Sequence, residues 1–125
     1  MGTRVLVVED DPDTREALRE FLRSCGHDVA VAADGREAIA ITLDRAPDVV
    51  VVDIGLPDID GYEVAQRIRS APGGGSPYLV ALTGSDEDAA SRAAAFDAYV
   101  VKPADPDALR ALMERRRPAV LRDRA

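Results

Sequence analysis

The sequence has no tryptophan, one cysteine and one histidine, and aromatic side chains make up only 4% of its 125 residues. A core must therefore be built from Val, Leu, Ile and Ala, which dominate an apolar content of 46%. The lone Cys25 excludes an internal disulfide, and its register with Leu18, Phe21 and Leu22 predicts a small core residue. The lone His27 precedes a strand in a turn, reads as a solvent-facing loop residue, and has no phosphohistidine motif around it. No apolar run approaches the roughly 20 residues needed to span a bilayer. Met1-Gly2-Thr3-Arg4 leads straight into the first strand and leaves no room for a signal peptide. These absences point to a soluble cytoplasmic protein with no membrane partner. A net charge of −7 speaks against direct nucleic-acid binding. The basic tail of Arg115, Arg116, Arg117, Arg122 and Arg124 reads as a solvated helix end or linker.

What is present is a set of short apolar runs ending in reactive residues. Val5-Leu6-Val7-Val8 runs into Glu9-Asp10-Asp11, and Val49-Val50-Val51-Val52 into Asp53. Leu79-Val80-Ala81-Leu82 runs into Thr83, and Tyr99-Val100-Val101 into Lys102-Pro103. A fifth run, Val29-Ala30-Val31, ends without such chemistry. β-Branched runs of this length read as strands buried on both faces, as in a parallel sheet. In open parallel α/β sheets ligands bind at the carboxyl ends of the strands, so these end residues would converge on one pocket.

Strands are predicted over 4–9, 28–32, 48–53, 78–83 and 98–101. Helices are predicted over 14–25, 35–45, 61–70, 86–95 and 106–117. The alternation is that of a single α/β domain, residues 1–117, followed by a basic C-terminal tail or linker, residues 118–125. Asp13, Asp34 and Asp60 each precede a Glu by three residues, an acidic variant of the capping box, and Asp105-Pro106 places a cap before a proline at the first helical position. Asp11 and Asp13 read as solvent and capping residues, and Asp58 and Asp60 as turn and cap residues. Gly26, Pro47 and Gly73-Gly74-Gly75 mark turns. Helix 86–95 offers only alanines to the core, which favour helix but bury little area, so it is expected to be the most weakly held.

The turn after the first strand, Glu9-Asp10-Asp11-Pro12-Asp13, has no glycine and four acids, which speaks against a dinucleotide or P-loop phosphate cradle. Glu9, Asp10 and Asp53 would instead meet at adjacent strand ends. Oxygen donors without Cys or His favour Mg²⁺ over zinc or copper. A small-molecule phosphohydrolase with an aspartate nucleophile would usually carry a second Asp two residues on, and Gly55 stands there.

Four signatures taken in order, Val7-Val8-Glu9-Asp10-Asp11, Asp53-Ile54-Gly55-Leu56-Pro57-Asp58-Ile59-Asp60-Gly61, Ala81-Leu82-Thr83-Gly84 and Tyr99-Val100-Val101-Lys102-Pro103, make the chain resemble the receiver domain of bacterial two-component response regulators, of the chemotaxis-regulator type. The resemblance runs from Val5 to about Met113. It implies a flavodoxin-like, doubly wound (βα)5 fold with a five-stranded parallel sheet in order 2-1-3-4-5 and helices on both faces. It also implies that Asp53 is the phosphoacceptor for a phosphohistidine on a histidine kinase or histidine phosphotransfer protein. Glu9, Asp10, Asp53 and the Gly55 backbone carbonyl would hold Mg²⁺. Thr83 and Lys102 would bind the phosphoryl group, Thr83 and Tyr99 would act as switch residues, and Pro103 would follow a cis peptide. Such a domain has no separate substrate and catalyses only its own phosphorylation and dephosphorylation, switching a surface for an unknown downstream protein. A degenerate receiver that binds partners without phosphorylation is the alternative. Two departures from the family pattern fall on helix 86–95: it is shorter than usual by about one turn, and Ala95 stands where the family commonly has glycine.

Overall fold

The computed structural model describes residues 3–70, 77–84, 96–102 and 105–114. The elements follow in the order β1 (Arg4–Val8), α1 (Pro12–Ser24), β2 (Asp28–Ala32), α2 (Gly35–Arg45), β3 (Val49–Asp53), α3 (Gly61–Ser70), β4 (Tyr78–Thr83) and β5 (Ala98–Val101). A closing helix, α4, covers 106–114. All strand pairs are parallel and the sheet order is β2-β1-β3-β4-β5, the flavodoxin-like order expected. The predicted helix 86–95, the glycines 73–75, Pro103 and the tail 118–125 lie outside the described residues.

The alternation of side chains along each strand divides the core in two. Leu6, Val8, Val50, Val52, Leu79 and Ala81 pack with Ala38 of α2 and Val64, Ala65 and Ile68 of α3. Val5, Val7, Val49, Val51, Val80, Leu82 and Val100 pack with Leu18 and Leu22 of α1 and Leu109, Leu112 and Met113 of α4. Because both faces are covered, the central strands need apolar residues at every position, which is why β3 reads Val-Val-Val-Val before Asp53. Each buried Val or Leu contributes roughly 1.5–3 kcal/mol of transfer free energy.

Three expectations change in detail. α1 begins at Pro12, two residues earlier than predicted, and its cap is Asp11, whose Oδ2 accepts from the Thr14 amide at 3.0 Å. Proline is favoured at the first helical position because its missing N–H would have no partner there. Cys25 is half-buried at the end of α1 and not a core residue. His27, expected in solvent, is also half-buried, in a depression shared with Phe21 and Cys25 of the α1 end and Arg110 and Met113 of α4.

Candidate functional site

Strand register brings the reactive ends level. Val8 pairs with Val52, Asp53 with Leu82, and Thr83 with Val101, so the residues that follow or close β1, β3, β4 and β5 share one edge of the sheet. The backbone continues the ladder beyond the strands: Glu9 N–H donates to the Ala32 carbonyl at 3.1 Å, and Lys102 N–H to the Thr83 carbonyl at 2.7 Å. Glu9, Asp53 and Thr83 are the buried polar residues of the described chain, at 0%, 6% and 2% exposure.

Carboxylate oxygens of Glu9, Asp10 and Asp53 lie within 4.8 Å of one another. Glu9 and Asp53 are buried and Asp10 is exposed. The donor set is three hard oxygens, one of them open to water, and this fits a small dication that keeps part of its hydration shell. Gly55 donates its N–H to Asp53 Oδ1 at 3.0 Å. A Cβ added at Gly55 would meet only that oxygen, at 3.8 Å, so space does not demand glycine there.

The Lys102 ammonium stands 3.1 Å from Glu9 Oε1 and 3.1 Å from Asp53 Oδ2. Burial pushes the Glu9 carboxyl up to about 7, helped by the neighbouring Asp53 and opposed by the Asp11 N–H and Lys102. Burial also acts to raise Asp53, but the Gly55 N–H, Glu9 and Lys102 together outweigh it and hold Asp53 below the usual aspartate range. For Lys102, burial acts to lower the value, and the two carboxylates outweigh it and raise it. The site therefore keeps an ionised, partly desolvated Asp53 beside a permanently charged lysine, with Glu9 as the neighbour that takes up a proton near neutrality.

The loop between Asp53 and α3 is fixed by close backbone packing. Gly61 N–H donates to the Ile54 carbonyl at 3.0 Å. A Cβ at Gly61 would lie 2.8 Å from Ile54 Cα and 3.0 Å from the Asp53 carbonyl oxygen, so α3 can start this close to the strand end only with glycine. Asp60 caps α3, accepting from Glu63 N–H at 2.9 Å. Asp58 caps a different helix: its two oxygens accept from Gly35 N–H at 2.9 Å and Arg36 N–H at 3.0 Å, at the start of α2.

Among the expected site residues, Glu9, Asp10, Asp53 and Lys102 form one cluster, and Thr83 ends the strand beside Asp53. Tyr99 is 45% exposed on β5, so it is not a packed core tyrosine. Two supports of the site escape the sequence reading: one residue, and one role of a residue read there as turn or cap. One is Arg15, whose guanidinium donates to the carbonyls of Glu9 and Asp10; its place one helical turn after the Asp11 cap was the available signal. The other role is the remote capping by Asp58, which joins residues far apart in the chain and leaves no local pattern.

Residues 5–114 match the response regulator receiver domain family, and the chain belongs to it. It is 43% identical over 106 residues to the response regulator MprA of Mycolicibacterium vanbaalenii, covering 82% of this chain and 45% of that protein. The chain thus spans about half the length of that relative. The chemotaxis response regulator CheY4 of Vibrio cholerae superposes with a TM-score of 0.85 at 28% identity, over 92% of this chain and 98% of that one. The receiver domain of the sensor histidine kinase PA1611 from Pseudomonas aeruginosa, solved with magnesium coordinated in its active-site cleft, gives 0.83 at 28% identity, over 92% and 97%.

Proposed function

We propose that the chain is a phosphoacceptor switch: Asp53 takes a phosphoryl group from the phosphohistidine of a histidine kinase or histidine phosphotransfer protein, in a Mg²⁺-dependent reaction. The observation that carries this reading is the ammonium of Lys102 set between Glu9 and Asp53 at 3.1 Å from each. A carboxylate kept anionic beside a fixed cation, at the mouth of an acid cluster, is an acyl-phosphate nucleophile with its charge neutralisation in place.

In the transfer an Asp53 oxygen attacks phosphorus, the P–N bond to the donor imidazole breaks, and the imidazole leaves with the electron pair. Glu9, Asp10, Asp53 and the Gly55 carbonyl are the residues that would hold Mg²⁺, which when bound neutralises charge on the phosphoryl oxygens. The Gly55 N–H orients the nucleophile through Oδ1. Lys102 then exchanges the Asp53 carboxylate for a phosphoryl oxygen, and the Thr83 hydroxyl donates to another. The added charge of about −1.5 to −2 draws Thr83 inward, and with Tyr99 on the adjacent strand this resets a surface for a downstream protein. The chain acts on no separate substrate and catalyses only its own phosphorylation and dephosphorylation. We place the receiver within residues 1–117, the remainder to 125 being a basic tail or linker, and assign it to the cytoplasm. Among the described residues no helix is long and apolar enough to cross a membrane.

The test is intact mass after incubation with Mg²⁺ and a small phosphodonor, beside Asp53→Asn. A single phosphoryl adduct on the parent and none on the variant is the expected result. A folded parent that takes no adduct from the small donor or from histidine kinases would overturn the reading in favour of a phosphorylation-independent binding module.

A further inference from the structure

Arg15 holds three successive carbonyls. Its guanidinium Nη1 donates to the Glu9 carbonyl at 3.0 Å and, at a longer 3.4 Å, to that of Asp10. Its own backbone N–H donates to the Asp11 carbonyl at 2.9 Å. The three residues so held are those that leave β1 and carry two of the three clustered carboxylates. A second set of bonds works in the same direction. Glu9 Oε2 accepts from the Asp11 N–H at 3.1 Å, and Asp11 Oδ2 accepts from the Thr14 N–H at 3.0 Å and its hydroxyl at 2.6 Å. By contrast, no hydrogen bond or ion pair within the described residues holds the exposed Asp10 carboxylate. Among the described residues, the backbone of Asp10 is the part of it that is held.

We infer that Arg15 is a positioning residue for the acid pair: by fastening the Glu9 and Asp10 carbonyls to the first turn of α1 it fixes the backbone from which both carboxylates project before an ion arrives. The inference rests on the metal-assisted reading given above. It makes a prediction of opposite sign to the alternative. If Arg15 mattered only as a cation near a dication site, removing its charge would relieve repulsion and tighten Mg²⁺ binding. If it mattered only through the packing of its stem, an uncharged side chain of similar length would change nothing. If it positions the ligands, losing its donors loosens the loop and weakens Mg²⁺ binding, as loss of partners behind metal ligands does.

The experiment uses the full chain, metal-free, and titrates Mg²⁺ against the amide chemical shifts of Asp10 and Asp11 in the parent, Arg15→Met and Arg15→Lys. Arg15→Met keeps the stem and removes the donors and charge. We expect its Mg²⁺ Kd to rise about tenfold, the low end for residues that support metal ligands, with Arg15→Lys between it and the parent. The phosphorylation rate of Arg15→Met should need more Mg²⁺ to reach half its maximum but rise to a similar plateau. An unchanged or lower Kd in a folded Arg15→Met overturns the inference. Should Arg15→Met not fold, Arg15→Lys decides alone: a Kd equal to the parent's overturns it, and a Kd raised several-fold supports it. A parent that binds Mg²⁺ and takes a phosphoryl adduct while Arg15→Met matches it sinks only this inference. A parent that does neither sinks the phosphoacceptor reading and this inference with it.

Discussion

The Lys102 ammonium lies 3.1 Å from Asp53 Oδ2, an ion pair in which the carboxylate side chain is 8% exposed and the lysine side chain 35%. Half-burial of the pair strengthens it relative to a surface pair, while the solvent-facing side of Lys102 leaves room for the ammonium to turn to an incoming phosphoryl oxygen. Replacing Lys102 with Met removes the cation that touches both buried carboxylates. Phosphorylation from a small donor should then slow by roughly 10²–10³, the usual cost of losing one charge-stabilising donor. The Asp53 and Glu9 carboxyls should both titrate higher than in the parent, because the interaction with Lys102 lowers each of them. Single-turnover kinetics and carboxyl-carbon NMR titration read the two effects separately.

Glu9 gives a pH dependence with a definite sign. Its carboxyl is raised from 4.5 to about 7, and an ion can be held only by the carboxylate form. Mg²⁺ binding must therefore expel a proton below neutrality. Apparent affinity should climb as pH rises from 6 to 8 and level off above, with proton release per ion falling toward zero over the same range. Calorimetry in buffers of different ionisation enthalpy measures that release. The metal-free fold behaves in the opposite sense. Folded Glu9 keeps its proton between 4.5 and about 7 while unfolded Glu9 loses it, so this residue's contribution to stability falls as pH rises across that window.

Much of this was legible in the sequence because the chemistry is local. A strand buried on both faces must be apolar at every position, so Val49–Val52 and Val5–Val8 announce themselves, and the first polar residue after each is forced to the strand end. That logic located Glu9, Asp53, Thr83 and Lys102. It mistook the start of α1, because Asp11 and Asp13 are both acceptable caps and only the Pro12 ring favours the earlier one. It misjudged Cys25 and His27, whose half-burial depends on α4 packing beside α1, a contact between the two ends of the chain. Nor could it show that Lys102 bridges Glu9 as well as Asp53, since that depends on the lateral order of β1, β3, β4 and β5.

Gly61 is a second point where the fold fixes Asp53. A methyl group there would crowd the Ile54 Cα at 2.8 Å and the Asp53 carbonyl at 3.0 Å, and backbone atoms cannot swing aside as a side-chain tip can. Gly61→Ala gains helix propensity worth up to about 1 kcal/mol, but overpacking against backbone costs about 1–3 kcal/mol. The net expectation is destabilisation, read as a lower urea midpoint. Because the strained atoms belong to Asp53 and its neighbour, phosphorylation should slow as well, even under conditions where the variant is fully folded.

Asp58 ties the loop that follows Asp53 to the start of α2 through two backbone N–H groups, at 2.9 and 3.0 Å. Burial works against its charge, but the amides of Gly35, Ile59 and Arg36 together outweigh it, and its carboxyl is held below the usual aspartate value of 3.8. A depressed folded value means that its contribution to stability is present above the unfolded value and lost as pH falls through the folded one. Asp58→Ala should therefore cost ~1 kcal/mol at neutral pH, typical for loss of a helix cap, and the gap between variant and parent should close as pH drops below the aspartate range. Gly35 sharpens the test. A Cβ there would stand 2.8 Å from Val64 Cγ2 and closer still to Ile59 Cγ1, so the loop and α2 are already in close contact and small shifts cannot replace the lost hydrogen bonds. Parallel urea melts of the two proteins from pH 7 down to pH 3 measure this directly. A difference that stays constant over that range would mean that the carboxylate's charge is not what holds the helix end.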